Sequence, residues 1–142
     1  MLSENQLLNH IYQTAEMGQE GIRSVLKYTE EPKLADALNS QYAEYEKLQS
    51  TAGALLKARG DSPKGLGPMA KATSEVMSTM KAMTDRSASN IAEMMIQGST
   101  MGVTKSLRTI RDCDLRDDGV RSLADKLLKT EQANIEEMKR FL

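Results

Sequence analysis

A glutamate set inside an apolar helical stripe is the residue of this chain best placed to do chemistry. Glu131 stands among Leu127, Leu128 and Ile135, at the three- and four-residue steps that bring side chains onto one helix face. A carboxylate in that position must be paired, hydrogen-bonded or protonated, because an uncompensated charge is strongly disfavoured in apolar surroundings. Other stripes of the chain would turn Gln41, Tyr45, Ser99, Ser106 and Tyr12 inward, so a buried hydrogen-bonded network is the favoured reading. The alternative is a stripe left partly uncovered, with Glu131 reaching water or a partner chain.

Other reactive residue types are present in patterns with simpler explanations. Met77, Met80 and Met83, with Met94 and Met95 beyond, could offer thioethers to Cu(I), but methionines at helical spacing more often fill a core or an adaptable binding surface. Cys113 is expected in the last turn of a helix, where the dipole does not favour a thiolate, and reads as a small core or boundary residue. His10, the one histidine, falls off the apolar face of its helix, and no serine motif accompanies it to form a triad. Lys105, Arg108, Arg111, Arg116 and Arg121 are interleaved with Asp112, Asp114, Asp117 and Asp118 and read as a solvated, ion-paired surface. Gly98-x-x-x-Gly102 suggests close approach of a helix rather than a phosphate loop.

The elements that must position these residues are helices. Leu8, Ile11, Ala15, Gly18, Ile22 and Val25 mark a first helix over 3–29, with Gly18 inside the stripe to let a neighbouring backbone come close. Pro32 then starts a second helix over 33–59, striped by Leu34, Leu38, Gln41, Tyr45, Leu48, Ala52, Leu55 and Leu56, and Gly60 provides a left-handed stop. The short link makes these two antiparallel neighbours. Turn formers from Gly60 to Pro68 precede a shorter crossover helix over 66–83. A break near Thr84 to Ser87 supplies N-cap residues for a helix over 86–113, and Asp117 or Asp118 caps a last helix over 118–141. No strand pattern of useful length appears.

Composition limits what this frame can serve. The chain of 142 residues fits one domain, 1–142, and its core must be built from aliphatics and ten methionines, since aromatics are 4% and Phe141 is the only phenylalanine. With 19 Lys and Arg against 20 Asp and Glu, no positive field exists to hold nucleic acid or an anionic membrane. No stretch approaches the roughly 18 apolar residues of a membrane span, and a single cysteine implies no intrachain disulfide. A cytoplasmic location is the expectation.

Two long antiparallel helices, a loop-plus-helix connection and two more long helices follow the order of ferritin-like bundles. With Gln19-Glu20-Gly21-Ile22 before Glu31-Pro32-Lys33-Leu34, and Leu56-Lys57-Ala58-Arg59-Gly60-Asp61-Ser62-Pro63, the chain resembles a bacterial branch of the ferritin-like superfamily. The resemblance implies an all-α four-helix bundle and, in its metal-binding members, two iron or manganese ions held by one Glu from each of two helices and an E-x-x-H pair from each of the others. The counterparts here are Glu44-x-x-Lys47 and Glu131-x-x-Asn134, with both histidines replaced. On a helical wheel Glu20 lies roughly 160° from its apolar stripe, Glu93 is on the far side of its helix and Glu44 is at a boundary. Glu131, Asn134 and Glu44 are therefore the only candidate ligands for such an iron or manganese site, and neither a catalytic residue nor a cofactor is expected. The expected function is that of a non-enzymatic bundle acting as a homo-oligomer or partner-binding module. The alternative is an iron or manganese protein with a reduced site around Glu131.

Overall fold

The computed structural model describes residues 1–66 and 84–142. They form four helices, α1 (Glu4–Leu26), α2 (Pro32–Ala58), α3 (Ala88–Arg111) and α4 (Asp118–Lys139), packed as an all-α four-helix bundle. The expected crossover helix over 66–83 lies, apart from its first residue, outside the described residues, and so do Met77, Met80 and Met83.

Each helix begins where a side chain can satisfy its free N–H groups. The Ser3 hydroxyl accepts from the Gln6 amide at 3.1 Å while the Gln6 side chain accepts from the Ser3 amide at 2.8 Å, a reciprocal capping box. Pro32 occupies the first turn of α2 behind Glu31, whose carboxylate accepts from the Lys33 amide. Ser87 caps α3 through the Asn90 amide, within the expected break, and Asp117 caps α4 through the amides of Gly119 and Val120. After α2, Gly60 takes the left-handed conformation at φ +75°, which glycine adopts without a Cβ penalty.

The contacts between chain ends set the topology. Leu2 pairs with Cys113 in a parallel bridge, donating to the Asp112 carbonyl at 2.8 Å, so α1 starts where α3 ends. Arg59, just past α2, reaches Glu4 and Asn5 at the start of α1 and Asp117 at the start of α4. At the opposite end Arg86, just before α3, stacks over the Tyr28 ring at 4.0 Å from its centroid. The order is thus up, down, down, up, with α1 against α2 and α3, and α4 against α3 and α2. Gly60 and Ser87 therefore stand at opposite ends of the bundle, roughly 35 Å apart at 1.5 Å per helical residue. The first residues past Gly60 climb the outer side of α1, where Asn9 accepts from the Lys64 amide at 2.9 Å and Gln13 donates to the Lys64 and Gly65 carbonyls.

Leu7, Leu8, Ile11, Ile22 and Val25 of α1 meet Leu34, Leu38, Leu48 and Leu56 of α2 and Val120, Leu127 and Met138 of α4 in the core. Each such burial is worth about 1.5–3 kcal/mol before the cost of ordering the side chain. Helix α3 contributes little of this kind: among its buried residues only Ile91 and Ala92 are apolar, while Ser99 lies at its middle and Ser106 nearer its end. The centre of the bundle is consequently polar.

Candidate polar centre of the bundle

All four helices contribute to that centre. Glu131 of α4 is 3% exposed and Tyr45 of α2 is 4% exposed, and the Tyr45 hydroxyl donates to Glu131 Oε1 at 2.9 Å. Asn134, one turn along α4, donates through Nδ2 to the Tyr45 hydroxyl oxygen at 3.3 Å. The result is a directed relay from amide to phenol to carboxyl.

Two glycines make room for it. A Cβ at Gly18 of α1 would stand 2.7 Å from the Tyr45 ring, and one at Gly102 of α3 would stand 3.2 Å from the Glu131 carboxyl carbon. Gly18 thus admits an aromatic ring rather than the backbone expected from the sequence. Gly98 has open space around it, so of the Gly98-x-x-x-Gly102 pair only Gly102 serves close approach, and it receives a carboxyl group. The sockets were legible as places of close approach, since a glycine inside an apolar stripe costs about 1 kcal/mol of helix propensity and calls for a packing reason, but the ring and the carboxyl that fill them were not.

Electrostatics follow from this enclosure. Burial pushes the Glu131 carboxyl up to about 7, against the smaller opposing effect of the Tyr45 and Ser99 hydroxyls. Burial, and next the charge of Glu131, push the Tyr45 phenol well above its ordinary range. Glu131 Oε2 is buried with no hydrogen-bond partner.

Of the partners expected for Glu131, Tyr45 and Ser99 are brought to it and the others are not. Gln41 donates to Glu137 at 2.8 Å, and Tyr12 packs over Gly53. Ser106 lies 3.0 Å from Nε2 of His10, with the Thr14 hydroxyl 3.4 Å from the same nitrogen. His10 is therefore half-buried against α3 rather than off the packed surface, because α1 touches both α2 and α3 and its buried arc is wider than one apolar stripe. Burial and the nearby Lys105 lower the His10 pKa, favouring neutral imidazole. Cys113 lies beyond the end of α3, not in its last turn, and burial raises its thiol pKa.

The remaining ligand candidates do not join Glu131. The Glu44 side chain is 42% exposed and pairs with Lys47 at 3.3 Å, Glu20 pairs with Arg23, and Glu93 is exposed. The groups set around the Glu131 carboxyl are a phenol, a carboxamide, a hydroxyl and a glycine, which do not fit a two-metal carboxylate–imidazole centre. Among the described residues no three His, Cys, Asp or Glu side chains converge to hold a metal ion, and no helix is long and apolar enough to cross a membrane. No family model, curated protein or solved structure matches the chain.

Proposed function

We propose that the protein is a non-enzymatic helical bundle of ferritin-like layout that acts through its outer surface, by association with a second copy of itself. The observation that carries this is the contrast between a centre closed by its own side chains and an α3 whose outer flanks leave Met101 58% and Leu107 51% exposed. Apolar side chains of that size gain most when a partner covers them. The up-down-down-up order with its long connection supports the ferritin-like reading, and the set of groups around Glu131 speaks against a metal-dependent role.

A second copy suits α3 better than an unrelated partner because the helix is complementary to itself. Glu93, Gln97, Thr100, Thr104, Arg108 and Arg111 are exposed and follow one another at three- and four-residue steps. Laid antiparallel on its twin, α3 brings Glu93 of each copy toward Arg108 and Arg111 of the other, with the short Thr100 and Thr104 side chains between. The described start of the crossover lies against Asn9 and Gln13 of α1.

Charge exchange tests this directly. Glu93→Arg alone, or Arg108→Glu with Arg111→Glu, should weaken self-association about tenfold or more, and combining all three should restore it. Association that ignores the single-sided changes would remove α3 from the interface.

A further inference from the structure

We propose that Glu131 holds a proton at the centre of the bundle and that losing it loosens the seam between the α1–α2 and α3–α4 hairpins. The geometry requires it. Among the described residues the Tyr45 hydroxyl is the only donor within hydrogen-bond distance of the carboxyl, the Ser99 hydroxyl acts on it more weakly, Oε2 has no partner, and a Cβ at Gly102 would already crowd the group at 3.2 Å.

The neighbours on every packed element point the same way. Tyr45 faces Glu131 from α2, Ser99 and Gly102 from α3 and Asn134 from its own helix, while α1 contributes Gly18 beneath the Tyr45 ring. None of these is a cation, and Tyr45, the only titratable one, stays neutral, accepting from Asn134 and donating to Glu131. A negative charge at Glu131 is thus met by two neutral hydroxyls at most, the Tyr45 phenol and more weakly Ser99, whereas the protonated acid keeps the phenol bond and removes the charge.

The position of the group makes it a seam device. The bond from Tyr45 to Glu131 links α2 to α4 and the Gly102 contact links α4 to α3, so the carboxyl sits where the hairpins join. A folded-state pKa above the unfolded value makes the contribution favourable at low pH and progressively lost as pH rises from about 4.5 to about 7. His10 works in the opposite sense, since a neutral buried imidazole lowers stability as pH falls below its unfolded pKa. The informative quantity is therefore the difference between wild type and Glu131→Gln, which keeps shape and neutrality but cannot ionise.

Thermal melts of both proteins from pH 5 to pH 8.5 read that difference. The variant should match wild type near pH 5 and exceed its Tm by roughly 5–10 °C at pH 8.5. Carbon-detected titration of the Glu131 carboxyl supplies a second readout, in which Tyr45→Phe, by removing the phenol hydrogen bond, should move the midpoint upward. Hydrogen exchange at Ser99 to Ser106 and Leu127 to Asn134, corrected for intrinsic rates, should speed up at pH 8.5 in wild type but not in Glu131→Gln. A Tm difference independent of pH, a midpoint below 5, or exchange that leaves the seam untouched would each overturn the proposal.

Discussion

Gly18 and Gly21 stand one helical turn apart and have opposite meanings. A methyl group at Gly18 meets the Tyr45 ring at 2.7 Å, whereas one at Gly21 meets nothing within 4 Å. Gly18→Ala should destabilise by about 1–3 kcal/mol through overpacking in spite of the better helix propensity of alanine. Gly21→Ala should stabilise by about 0.5–1 kcal/mol. Urea unfolding of the two variants measures both, and equal effects would mean that the ring is free to move aside. At Glu131 the raised carboxyl translates into roughly 3 kcal/mol of stability withheld above pH 7 relative to pH 4, an upper value, since water admitted to the ionised site would reduce it.

The four described helices were legible to within three residues at either end, because the signals that stop and start them are local: Ser87 and Asp117 cap, Pro32 opens and Gly60 closes. Glu131 was legible as an inward carboxylate for the same reason, since a single stripe suffices to place it. Its partner was not fully legible. Gln41, Tyr45, Ser99 and Ser106 all face inward, and the choice among them depends on the relative heights of four helices, which no one helix encodes. Gln41 lies nearer Glu137 and Ser106 nearer His10, while Tyr45 reaches Glu131 only because Gly18 on a third helix vacates the space. The Arg59 clamp was hidden likewise, as it joins Glu4, Asn5 and Asp117 from three separate segments. The amides of Asp117 and Arg116, followed by Arg59, hold the Glu4 carboxyl below its ordinary range, so its contribution is present above the unfolded pKa and lost on acidification. Arg59→Ala should therefore lower Tm by a few degrees near neutral pH and by less near pH 3, a trend that melts at the two pH values would check.

On the scale of the whole molecule, the bundle's interior and exterior divide the work. The described interior joins a carboxyl, a phenol and a carboxamide in one hydrogen-bonded chain with no three metal-ligand side chains around it, and the exterior carries a helix with complementary charges at its two ends and two large apolar side chains between. Assembly through α3 is the claim that joins these facts. Light scattering on the purified chain from micromolar to millimolar concentration tests it, alongside Met101→Asp. Wild type should approach twice the 15.7 kDa of one chain while the variant remains a monomer, and a wild-type mass of one chain at every concentration would contradict the account.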